Sequence, residues 1–243
     1  MKQIVIIFIF VNLLFSMTVD ELLDKVDFME KTKTTKSIGR EIVYKEDGET
    51  RESKMISFSF NGNEKALTEY LEPARIKGMR ILSLNKGDDI WLYSQRTKRV
   101  RKIASHQRKQ SATDSDFSYE DMSLDDRRTD YIYSLKNDTI FNNVNCYSVE
   151  FLPKDKSRIY SKITFYFSKD DLSTQGGVFF DENNEHWKTL TLTDFRQIIN
   201  YNVAFSATME NHIRGTKTVI TTDSIEIDIP LDENIFSERS LKN

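Results

Sequence analysis

The sequence predicts a mainly β fold with a minor helical share, an antiparallel sheet of about ten or eleven strands behind one short helix. Three observations carry that expectation. Apolar and polar residues alternate over most of the chain, which is the period of a half-buried strand. Short polar segments rich in Asn, Asp and Gly separate the runs, and connections that short join antiparallel neighbours, because parallel ones need long crossovers. Aromatic residues make up 12% of the 243, with 16 Phe and 10 Tyr against 8 Gly and 3 Pro, a balance that suits strands rather than glycine-rich phosphate loops.

Taken in order, the chain begins with Met1-Lys2-Gln3 and an apolar run from Ile4 to Phe15, closed by Ser16. One lysine, an apolar core and a polar exit are the layout of a secretory signal peptide. The run is shorter than the roughly 20 residues that cross a bilayer. The expectation is therefore a signal peptide over 1–16 and a single exported domain over 17–243. Val19, Leu22, Leu23 and Val26 then recur at helical spacing, and Thr18 with Glu21 forms a capping box, which predicts a helix over Thr18 to Glu30.

From there the period is two. Ile56, Phe58 and Phe60 alternate with Met55, Ser57 and Ser59; Ile163, Phe165 and Phe167 alternate with Lys162 and Thr164. Leu190 and Leu192 lie between threonines, and Ile225, Ile227 and Ile229 between Ser224, Glu226 and Asp228. Turn signals such as Asn61-Gly62-Asn63, Asn142-Asn143 and Asp181 to Asn184 separate the strands. A weak helical pattern spans Phe117 to Leu124. A sheet of this size curls, closes or splits into two layers.

Composition excludes several functions. With 35 basic and 38 acidic residues, net charge −3, pI near 5.8 and mean hydropathy −0.53, the chain is neither a polytopic membrane protein nor a dedicated nucleic-acid binder. Cys146 is alone and forms no internal disulfide, and His106, His186 and His212 lie far apart in sequence, so no metal site and no cofactor are expected. The acid pairs Asp88-Asp89, Asp125-Asp126 and Asp170-Asp171 sit in turns, and no Gly-x-Ser-x-Gly elbow occurs, so no catalytic residue is nominated and the chain reads as a non-enzyme.

Two features have both a functional and a plain reading. Arg96, Lys98, Arg99, Arg101, Lys102, Arg108 and Lys109 form a basic block that would meet an anionic membrane or a partner protein; the plain alternative is a solvated hairpin paired with the acidic stretch from Asp114 to Asp126. The strand aromatics either fill a core or line an apolar cavity. In the second case the lining is Phe58, Phe60, Trp91, Tyr93, Tyr147, Val149, Phe165, Phe167, Leu190 and Leu192.

Several segments resemble the outer-membrane lipoprotein-sorting family of the LolA-like type, in the branch found beside RND-type lipid exporters. They are Tyr70-Leu71-Glu72-Pro73-Ala74-Arg75-Ile76-Lys77-Gly78, Asp89-Ile90-Trp91-Leu92-Tyr93, Lys98 to Ile103, Ser115-Asp116-Phe117-Ser118-Tyr119-Glu120-Asp121, Thr189 to Arg196 and Phe236 to Leu241. The resemblance implies a strongly curved, incompletely closed antiparallel barrel with short helices as a lid and an apolar cavity for acyl chains. It also implies a periplasmic carrier or accessory protein that handles lipid or lipoprotein, without enzymatic activity and with an RND-type transporter as partner. The alternative is a periplasmic sensor or interaction domain on the same fold, with a filled core. The helix Thr18 to Glu30 and the segment Phe117 to Leu124 are the lid candidates. Relatives often carry glycine just before Ser-Asp-Phe, where this chain has Asp114.

Overall fold

The computed structural model describes residues 17–122, 127–155 and 158–242. The expected signal peptide and the acids Asp125 and Asp126 lie outside the described residues, as does Leu124. Helix α1 (Val19–Glu30) begins as expected: the Glu21 amide donates to Thr18 Oγ1 at 3.2 Å, and the Thr18 amide donates back to Glu21 Oε2 at 2.8 Å. These bonds satisfy donors that the first helical turn leaves open.

Fourteen strands follow among the described residues: β1 (Thr34–Tyr44), β2 (Thr50–Phe60), β3 (Lys65–Glu72), β4 (Arg80–Leu84), β5 (Asp89–Ser94), β6 (Arg99–Lys102), β7 (Tyr131–Leu135), β8 (Thr139–Phe141), β9 (Val144–Pro153), β10 (Lys162–Ser168), β11 (Thr174–Phe180), β12 (His186–Ile198), β13 (Tyr201–Asn211) and β14 (Thr216–Ile227). A four-residue helix, α2 (Arg127–Asp130), precedes β7. The count exceeds the sequence expectation because β6 and β8 are only four and three residues long, and β6 reads Arg-Val-Arg-Lys with one apolar residue. Asn61, Asn63, Asn142, Asn143 and Asn184 adopt positive φ at hairpin tips, a conformation asparagine tolerates better than most residues.

All fourteen strands form one antiparallel sheet in the order β6-β5-β4-β3-β2-β1-β14-β13-β12-β11-β10-β9-β7, with β8 also on β9. The first six strands step outward from β1, and the remainder step back until β14 pairs with β1. The two edges, β6 and β7, are therefore consecutive in the chain. They do not pair with each other, so the barrel stays open, and residues 103–130 lead from one edge to the other.

Register assigns the faces. The chain of partners Glu41, Ile220, Ala207 and Leu192 places these residues on one face of β1, β14, β13 and β12. Partners Leu190, Gly177, Phe165 and Val149 continue it to β9, while Ser57, Thr68, Ile81 and Leu92 carry it toward β5. This is the inner face, which carries α1. On it Leu22, Leu23 and Val26 of α1 pack against Tyr131, Val149, Phe151, Ile163, Phe165, Phe167 and Phe179. The outer face of β2 to β5 is apolar too. Phe58, Phe60, Leu67, Leu82, Trp91 and Tyr93 pack there against Leu231, Ile235, Phe236 and Leu241. Arg80 ties this C-terminal cover down by donating to the carbonyls of Ser240 and Leu241 at 3.2 and 3.1 Å.

Candidate functional site

Residues 103–122 form a strap over the inner face, held at four places by polar groups. Asp116 is buried, and its carboxylate accepts from Thr216 Oγ1 at 2.5 Å and Thr218 Oγ1 at 2.9 Å on β14. Asp121 accepts from Ser118 Oγ at 2.8 Å, from the Tyr160 hydroxyl at 2.7 Å and from Lys188 Nζ on β12 at 3.4 Å. Burial, followed by the nearby Asp121 charge, pushes the Tyr160 hydroxyl well above its ordinary range. Glu120 meets Arg158 at 2.9 Å and Arg108 at 3.6 Å. Thr113 Oγ1 donates to Glu41 on β1 at 2.7 Å, and burial raises that carboxyl above the usual carboxylate range. A buried charge pair keeps its place only when its remaining hydrogen-bond sites are satisfied, as they are at Asp121. The lid candidate Phe117 to Leu124 is thus, over its described part, a fastened strap.

Between strap, α1 and sheet lie three adjoining chambers. The main one, about 610 Å³, has a wall of Phe165, Leu190, Leu192, Phe195, Val203, Ile225 and Ile227 and a rim of Glu30, Thr32, Asp171 and Asn202. A second, about 270 Å³, lies under the strap between Glu41, Ser57, Thr68, Tyr70, Phe117 and Tyr119. A third, about 280 Å³, shares Thr68, Ile81, Asp121 and Met122 with the second, and Asn63 and Asp121 with the first.

This architecture has known counterparts. It is similar to a protein from Vibrio parahaemolyticus described as an outer membrane lipoprotein-sorting protein domain, with 24% identity, TM-score 0.84, and 92% of this chain and 97% of that one covered. A DUF1329 family protein from Desulfovibrio piger gives 23% identity, TM-score 0.84 and coverage of 91% and 96%. A LolA superfamily protein from Nitrosomonas europaea gives 18%, 0.76, and 93% and 100%. A family model described as "-like: Uncharacterized protein" matches residues 62–243. The chain belongs to that family and has the LolA-like fold. No curated protein matches it.

The LolA-like sheet divides the cavity set expected from sequence. Phe165, Leu190 and Leu192 line the main chamber. Tyr147, Val149 and Phe167 share the inner face but belong to the aromatic layer packed around α1. Phe58, Phe60, Trp91 and Tyr93 do not line the groove; they lie on the outer face beneath the C-terminal segment. Alternation fixes which residues share a face, and it does not say which face is inner. In β2 the polar alternates Ser57 and Ser59 point in, and both line chambers. Ile225 and Ile227, read as a strand face and not as site residues, complete the apolar wall.

The basic block is dispersed. Arg96, Lys98, Arg99 and Lys109 are exposed, and β6 forms a sheet edge, where charge discourages pairing with another chain. Lys102 pairs with Asp89, and Arg101 donates to Gln107 Oε1 at 3.3 Å. Arg108 turns inward, to Glu120 and to the Asp88 carbonyl at 2.8 Å. Glu120 is thus one acid of the following stretch that pairs with the block, whereas Asp114 faces Lys45 at 3.3 Å, Arg51 at 3.6 Å and Arg214 at 3.2 Å. Asp114 also has φ of 64°, the left-handed conformation that a glycine would take without strain. The distant histidines His186 and His212 come together, both on Thr189 Oγ1, at 2.8 and 2.9 Å. Among the described residues no three His, Cys, Asp or Glu side chains are placed to hold a metal.

Proposed function

We propose that the chain is a carrier that shelters the acyl chain of a lipid or lipoprotein in the inner groove. The single observation that carries this is the main chamber, about 610 Å³ with a wall of Leu, Ile, Val and Phe under a polar rim, on a fold shared with a lipoprotein-sorting protein domain. That volume lies within the range of about 300 to 1,000 Å³ of small-molecule pockets. Moving a methylene from water into such a wall gains about 0.8 kcal/mol. A rim of Glu30, Thr32, Asp171 and Asn202 leaves the polar end of the cargo solvated.

The same reading places the protein in the periplasm after removal of residues 1–16, in transport toward the outer membrane with an RND-type exporter. The exposed cations Arg96, Lys98, Arg99 and Lys109 at the β6 edge are its surface for that partner or for an anionic membrane. Residues 17–243 act as a single lipid-binding domain and the role is binding, not catalysis.

Mass spectrometry of an organic extract of the purified protein tests it. Stoichiometric lipid is the expected result, with at least half lost in Leu192→Glu or Ile225→Glu while the circular dichroism spectrum stays β-rich. A lipid-free wild-type protein that also takes up no added fatty acid would overturn the carrier role.

A further inference from the structure

The chamber under the strap has an unusual wall. Glu41 is 4% exposed, and among the described residues it has hydroxyl partners but no cation in ion-pair range. Around it stand the rings of Tyr70, Phe117 and Tyr119, and Tyr119, 1% exposed, has a hydroxyl with no hydrogen-bond partner. No Lys, Arg or His is among the described residues that line this chamber or the adjoining small one. Lys188 lies beyond, committed to Asp121 and Tyr160, and Arg127 sits in the main chamber 4.7 Å from the Phe165 ring centre.

We propose that the groove selects an amphiphile with an ammonium head, its chain in the main chamber and its cation among Glu41, Tyr70, Phe117 and Tyr119 under the strap. The inference rests on the carrier reading and adds the chemistry of the cargo head. Aromatic faces attract cations, more strongly where water is excluded. A buried carboxylate without a counter-charge is costly, and a ligand ammonium supplies one. A phosphate or carboxylate head would meet the same carboxylate in a chamber whose described lining holds no Lys, Arg or His. The chambers are adjacent, with Thr68, Ile81, Asp121 and Met122 common to the two smaller ones and Asn63 and Asp121 common to the third and the main one, and the proposed molecule extends past these shared residues. Two sources carry this head: a phospholipid with an aminoethyl group, and a lipidated peptide with a free α-amine.

The test is titration calorimetry on the delipidated full chain with dodecyltrimethylammonium and dodecyl sulfate, each below its micelle concentration. The expected result is a preference for the cation of about tenfold, equivalent to roughly 1.4 kcal/mol. In Glu41→Gln the two affinities become similar while the chain still binds. Equal binding of both heads to the wild type, or a preference that survives in Glu41→Gln, overturns the inference and leaves the carrier role standing. Binding of neither probe overturns both. Phosphatidylethanolamine set against phosphatidylglycerol, and a diacylated lipopeptide set against its N-acetylated form, then separate the two sources.

Discussion

The two halves of the inner face are covered differently, and one is solid while the other is hollow. Over β7 and β9 to β11 the cover is α1, which lies down on an aromatic layer through Leu22, Leu23 and Val26 and leaves no chamber of its own. Over β1 to β4 and β12 to β14 the cover is the strap, which meets the sheet through the polar side chains of Thr113, Asp116 and Asp121 and through Ile103, Tyr119 and Met122, which pack with Tyr70, Ile81 and Ile90. Apolar side chains must interdigitate to be stable, so a helix with an apolar face fills the space below it. In this open barrel the chambers lie on the half whose cover is anchored by buried polar groups as well as by apolar contacts.

Substitutions in the two halves sharpen that contrast. In the solid half, Phe167→Ala should cost about 3 to 5 kcal/mol in urea unfolding, because a fully buried ring leaves a cavity. In the hollow half, Leu192→Ala should cost about 1 kcal/mol, since its side chain already borders empty space. Equal costs would mean the two halves are packed alike. Next in size, Lys188→Ala strands Asp121 and should cost about 3 kcal/mol, with faster amide exchange at Tyr119 and Glu120; Lys188→Met combined with Asp121→Asn should recover most of the loss. Thr18→Ala removes the cap of α1 and should cost about 1 kcal/mol, without change in ligand affinity.

The smallest effects are on pH dependence, and they run in opposite directions. Burial, aided by His212, holds His186 below the unfolded value of 6.5. The unfolded chain then binds the proton more readily, so stability falls as pH drops through 6.5 and below. Glu41 is held above the unfolded value of 4.5 by burial. The folded protein keeps a proton that the unfolded chain has released, so this contribution is full below 4.5 and is lost as pH rises through the folded value. Glu41→Gln should therefore gain on the wild type between pH 5 and pH 8, and His186→Asn should flatten the decline below 6.5, both read as melting temperature.

Most of the fold was legible in the sequence. The capping box at Thr18 and Glu21, the period-two runs and the asparagine turns are local signals, and each produced its element where expected. The short charged strand β6 and three-residue β8 were not legible, because they hold their place through neighbours rather than through alternation. The site was legible in half. Leu190 and Leu192 follow from the period of β12, whereas Phe58 and Phe60 follow the same rule onto the opposite face, where residues 231–241 cover them. Which side is inner depends on the path of segments far away in sequence. The meeting of His186 with His212, and of Asp121 with Lys188, depends on the same long-range register.

In the proposed carrier an apolar chain lies against the inner wall of β12 to β14. Photo-crosslinking with a fatty acid that carries a diazirine near its methyl end, followed by peptide mapping, tests it most directly. Label on peptides containing Leu190, Leu192, Ile225 and Ile227 is the predicted result. Label confined to the outer residues Phe58, Phe60 and Trp91, or absent from the protein, would contradict it.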